Sequence, residues 1–171
     1  VAGTKCGSLF LFDLAAPGRP PREVTVAEAG ANGRARRDGA GVLALAAWRG
    51  DADTPPMVLA TTSVGELVME PLAMEPTGAS ADLGDATASV SGKHAYPFFL
   101  SVSQEAGIAA TASQSDSRVT LWDLRGGRLR KIKQVTVGPK YNRLNKHELM
   151  GVALSADGRT LAVMASNCSG D

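Results

Sequence analysis

Apolar residues recur at every second position in several short runs of this chain, and Gly, Ser, Asp or Asn closes each run. Such period-two alternation bounded by turn residues predicts half-buried β-strands. In Ser113–Leu124 (SQSDSRVTLWDL), Val119 and Leu121 keep the alternation, and Ser115, Asp116 and Ser117 supply the turn before it. Laid against itself, the chain shows that run to be one of three similar stretches. Val1–Leu14 (VAGTKCGSLFLFDL), Val58–Leu72 (VLATTSVGELVMEPL) and Ile108–Leu124 (IAATASQSDSRVTLWDL) superimpose. Each reads as a small-residue strand, a Gly or Ser turn, and a second alternating strand ending in Leu. Each is therefore a predicted hairpin, and a further copy opens at Leu161 (LAVMASNCSGD).

A second unit recurs upstream of the hairpins: Val42–Gly50 (VLALAAWRG), Phe98–Gly107 (FFLSVSQEAG) and Leu149–Gly158 (LMGVALSADG). Each is an apolar strand closed by a turn. Downstream, Arg22–Ala27 (REVTVA) and Leu129–Val137 (LRKIKQVTV) alternate Val, Thr and Ile as an outer strand does. After Leu72 no such strand is expected, because the chain there passes Pro76, Gly78, Ser80, Gly84 and Ser89. Recurrence of the same strand slots in the same order marks a repeat architecture.

Three local features of these repeats resemble the WD-repeat family. They are the Trp122-Asp123 pair that closes a strand, the Lys93-His94 and Lys146-His147 pairs upstream, and the Ser155-Ala156-Asp157-Gly158 turn. The resemblance implies an all-β fold, a WD-repeat-like β-propeller of antiparallel four-stranded blades, with only about three blades' worth of strands present. The expected division is 1–27 as the end of one blade, 41–72 as a degenerate blade and 73–92 as a Pro/Gly/Ser-rich insertion loop. The best-formed blade then spans 93–137, and 146–171 begins the next. Closed propellers need about four to eight blades, so the chain is expected to be part of a longer protein. The resemblance also implies a structural hydrogen-bond network, in which the Trp122 indole meets the hydroxyl of Thr111 or Ser113, that hydroxyl meets His94, and His94 meets Asp116. The other hairpins depart from it, with Cys6 in the Asp116 place, Phe12 in the Trp122 place, and Glu70 in the Trp place of the second.

Composition is that of a globular domain: 171 residues, 44% hydrophobic and 20% charged. Aromatics make up only 5%, so Val, Leu, Ala and Met must fill the core. No run approaches the roughly 18 apolar residues of a membrane-spanning helix, and no signal peptide is evident, so no membrane insertion and an intracellular location, cytoplasmic or nuclear, are expected. Cys6 and Cys168 have no neighbouring Cys or His at metal-ligand spacing and are read as reduced thiols. Asn167-Cys168-Ser169 matches a glycosylation sequon, read as a chance occurrence.

Enzyme chemistry finds little purchase. A His, Ser and Asp set suggests a hydrolase triad, yet there is no G-x-S-x-G elbow, and His94 and His147 both fall at the structural His place of a blade. No glycine loop carries a following Lys-Ser or Lys-Thr, and Glu66, Glu70 and Glu75 read as a solvated acidic rim. No catalytic residue, cofactor, metal or small-molecule substrate is therefore expected. The expected function is a scaffold for protein–protein interaction within a multi-subunit assembly, with partners docking on a face that carries His94, Tyr96, Asp116, Ser117, Lys146 and His147.

Charge supplies the alternative. The net charge is +1, but Asp51–Gly92 holds seven acids and no Lys or Arg, whereas Arg125–Lys146 holds eight cations and no acid. A ribonucleoprotein component contacting RNA backbone would use Arg128, Arg130, Lys133, Lys140 and Arg143 of that second block. The simpler reading is an edge strand that uses charge to resist aggregation.

Overall fold

In the computed structural model, the alternating runs form thirteen described strands. The structure describes residues 2–3, 8–11, 18, 20, 22–25, 41–63, 65–72, 87–89, 99–113, 117–137 and 145–169. A first sheet joins β1 (Ala2–Gly3), β2 (Ser8–Leu11) and β3 (Arg22–Thr25) in chain order. A second joins β4 (Val42–Trp48), β5 (Met57–Thr62), β6 (Glu66–Pro71) and β7 (Thr87–Ser89). The third contains β8 (Phe99–Ser103), β9 (Ile108–Ala112), β10 (Arg118–Asp123) and β11 (Arg130–Thr136), and β12 (Asn145–Leu154) pairs with β13 (Leu161–Ser169). Every pairing is antiparallel and every neighbour is next in sequence, so each sheet is a meander. A single 3₁₀ turn, Arg125–Gly127, is the only helical element among the described residues. The fold is all-β, as the alternation predicts.

One expectation fails. The stretch after Leu72 does return an outer strand, because β7 pairs with β6 through Glu66↔Ser89, Leu67↔Ala88 and Val68↔Thr87. Thr-Ala-Ser has no strand signal of its own, and pairing with a long, buried β6 is what extends it.

Side-chain parity explains how successive sheets stack. A strand sends alternate residues to opposite faces, and in the middle strands both faces are buried. Met57, Leu59, Leu67 and Met69 of the second sheet join Trp48 and, from the third, Ala109, Trp122 and Leu124 in one core. The alternate residues Val58, Ala60 and Val68 form another cluster. On the third sheet Ala110, Ala112 and Val119 turn the other way and pack with Leu149, Val152 and Val163 of the β12–β13 pair. The third sheet is thus sandwiched, and β8 shows it most plainly: Leu100 and Val102 pack on the first of these cores, Phe99 on the last.

Polar ties follow the same parity. Ser101 Oγ accepts Leu154 N at 3.0 Å, and Ser103 Oγ donates to Ala156 O at 2.5 Å, both toward the β12–β13 pair. Gln104, one residue on, reaches the opposite neighbour: its Nε2 donates to Ala47 O at 2.6 Å and its Oε1 accepts Arg49 N at 2.9 Å. Close approach of the turns requires glycine at Gly158, where φ is +70° and an added Cβ would lie 2.6 Å from Ala106 Cβ. The Ser155–Thr160 turn holds that glycine, with Ser155 Oγ donating to Asp157 Oδ1 at 2.6 Å and accepting Thr160 N at 3.0 Å.

Candidate interaction site

The antiparallel meander gives each sheet two rims. At one rim β9 passes into β10 through residues 113–117; at the other lie the β8–β9 turn and the 3₁₀ turn between β10 and β11. Of the residues expected to dock partners, only Ser117, Lys146 and His147 are described. His94, Tyr96 and Asp116 lie outside the described residues. Lys146 and His147 belong to β12, paired with Cys168 and Asn167, so the backbone fixes their place at the end of that strand. Ser117 is a correction to the expected face: it is 2% exposed, with φ 53°, and its carbonyl accepts Val137 N at 2.8 Å. Its place is inside the turn, where a small residue in the left-handed region is tolerated and a contact surface is not presented.

The hydroxyl left open in the blade network is settled by register. Trp122 sits opposite Ala109 and Thr111 opposite Thr120, so Thr111 is the diagonal neighbour of Trp122 on one face. Trp122 Nε1 donates to Thr111 Oγ1 at 2.9 Å, with both side chains buried. Ser113 lies past the ladder, also buried, and its backbone N–H donates to Arg118 O. In the second sheet Glu70 stands opposite Val58 in a half-buried position. Burial pushes its carboxyl above the ordinary range, against the pull of the Arg22 charge.

Asp123 is the residue that sequence reasoning passed over. Its side chain is 6% exposed and is clamped at the second rim by two guanidinium groups. Arg125 donates through Nε to Oδ1 at 2.8 Å and through Nη2 to Oδ2 at 3.1 Å, and Arg130 Nη2 donates to Oδ2 at 2.6 Å. The Arg125 hydrogen bonds hold the carboxyl well below the usual carboxylate range, burial opposes them, and Arg130 adds to the depression. The signal was legible as a Trp-Asp strand end with arginines two and seven residues downstream. Beside this clamp, a cleft of about 350 Å³ between the second and third sheets is lined by Arg49, Asp51, Glu105 and Arg125 among others, charges that balance.

The expected basic stripe is only partly realised. Arg128 precedes β11, Arg130 is engaged by Asp123, and Lys133 stands opposite Leu121. Simple alternation would send Arg130 and Lys133, three residues apart, to opposite faces; the bulge between Leu121 and Trp122 makes Ile132 the extra residue and puts both cations on the face of Leu121 and Asp123. Lys140 and Arg143 lie outside the described residues. No helix among the described residues is long and apolar enough to cross a membrane.

No protein-family model matches the chain, and no curated protein matches it in sequence. Solved structures do. A chain of the crystal structure of the mitotic checkpoint complex matches with a TM-score of 0.61 and 16% identity over 95% of this chain and 43% of that one. The Cps50 (Swd1) β-propeller domain of Myceliophteria thermophila matches at 0.60 and 15%, over 96% and 45%. The periplasmic gluconolactonase PpgL of Pseudomonas aeruginosa matches at 0.57 and 21%, over 75% and 35%. This chain spans less than half the length of each of these structures, and what it shares with them is the fold of part of a β-propeller.

Proposed function

We infer that this chain is part of a WD-repeat-type β-propeller that works inside the cell as a non-enzymatic platform, gathering protein partners in a larger assembly. The observation that carries the reading is the sandwiched third sheet: buried on both faces and tied on both sides, it is a stiff frame from which loops project at the strand ends. Solved neighbours include a chain of the mitotic checkpoint complex and BBS1N in complex with ARL6DN, which supports work among protein partners. The gluconolactonase likeness shows that the fold also serves enzymes. Blade limits of 1–27, 41–72, 93–137 and 146–171 belong to the same proposal, with 73–92 an insertion whose residues 87–89 return to the second sheet as β7. So does a blade network completed by His94 and Asp116 beyond the Trp122–Thr111 bond.

Partners dock at the first rim through Tyr96, Lys146 and His147. Replacing Tyr96→Ala and Lys146→Glu together should lower co-purification of the chain's partner subunits at least about fivefold, with thermal stability within about 2 °C of the parent. Equal recovery of those subunits by the double variant overturns the choice of face.

A further inference from the structure

β11 pairs with β10 on one side, and no described strand pairs with it on the other. Its two ends are anchored, Leu129 against the core shared with the second sheet and Val137 against the core shared with β12–β13. Its middle is open: Arg130, Lys131 and Lys133 are exposed, and Ile132 is 50% exposed among them. Two of the cations are already occupied, Arg130 by Asp123 and Lys131 by Gln134, whose Oε1 lies 3.4 Å from Nζ. Arg128 and Lys133 flank Ile132 and form no ion pair among the described residues.

We propose that β11 is a docking edge for an extended acidic segment of a partner protein, which adds to the sheet as a further strand. Strand addition uses the backbone N–H and C=O groups that an edge leaves unpaired, and side chains at alternate positions supply specificity. Here the incoming strand would set carboxylates against Arg128 and Lys133 and an apolar side chain on Ile132. This surface is separate from the first-rim face of the preceding section. A peptide fits the edge better than RNA does. Two uncommitted cations separated by an exposed isoleucine give few phosphate contacts, and no aromatic side chain in β11 offers a base a stacking surface.

The test uses the full chain and a labelled, capped peptide as long as β11, with glutamates flanking a central valine-threonine-valine run. Fluorescence anisotropy should give saturable binding with a Kd between about 10 and 1000 µM, typical of a short, weak contact. Arg128→Glu combined with Lys133→Glu should weaken it at least about tenfold. Independently of any variant, methylating alternate backbone nitrogens of the peptide should abolish binding, because it removes strand hydrogen bonds and leaves the charge unchanged. Three results each overturn the proposal: no binding at about 1 mM peptide, equal binding by the N-methylated peptide, or tighter binding by an oligouridylate of similar length, which would hand the edge to RNA.

Discussion

Trp48 and Trp122 are 1% and 2% exposed and line the same core, yet their polar ends differ. Trp122 Nε1 has the Thr111 hydroxyl, whereas Trp48 Nε1 is buried with no hydrogen-bond partner. A buried donor left unpaired costs about 1–3 kcal/mol, and a satisfied one stabilises by about 1 kcal/mol. The two Trp→Phe substitutions remove a similar volume, so their difference combines the hydrogen bond lost at Trp122 with the unpaired donor removed at Trp48. Trp122→Phe should destabilise the chain by at least about 2 kcal/mol more than Trp48→Phe in urea melts, since it breaks a bond and orphans the Thr111 hydroxyl while Trp48→Phe removes an unpaired donor. Equal losses would show that the Trp122–Thr111 bond contributes nothing net.

At the scale of elements, Asp123 ties three of them: it ends β10, accepts Arg125 N of the 3₁₀ turn at 3.2 Å, and binds Arg130 at the start of β11. Its folded carboxyl titrates below the ordinary 3.8. The stability it contributes is therefore fully present above about pH 4 and is lost as pH falls through the depressed value. Asp123→Asn should cost about 1–2 kcal/mol at neutral pH, because the released guanidinium groups, 63% and 76% exposed, return to water cheaply. It should also flatten the fall in melting temperature between about pH 4 and pH 2, which thermal melts across that range would reveal. Much of this architecture was legible beforehand. The alternation in VTLWDL and LRKIKQVTV located β10 and β11, because a half-buried strand writes its period into the sequence. β7 was illegible, since Thr-Ala-Ser becomes a strand only through its partner. The Ser101, Ser103 and Gln104 ties were equally hidden: they join residues 53 to 57 apart, and no local pattern encodes such a distance. The choice of Thr111 over Ser113 needed the β9–β10 register, and the burial of Ser117 needed the turn conformation.

Across the described part of the molecule, the unit of packing is the space between sheets, and the third sheet sends alternate residues to its two neighbours. Ala110, Ala112 and Val119 belong with Leu149, Val152 and Val163, while their sequence neighbours Ala109 and Trp122 belong with Met57, Leu59 and Met69. A volume change at one of these positions is felt by one neighbouring sheet and hardly by the other. Among related sequences, compensating substitutions should therefore fall into two interleaved sets that do not mix, odd and even positions of β9 drifting with different partners. Pairwise covariation linking 110 or 112 to 57 or 59 as strongly as to 149 or 152 would contradict this. A strand that seems one continuous apolar word would then carry two independent histories, written in alternate letters.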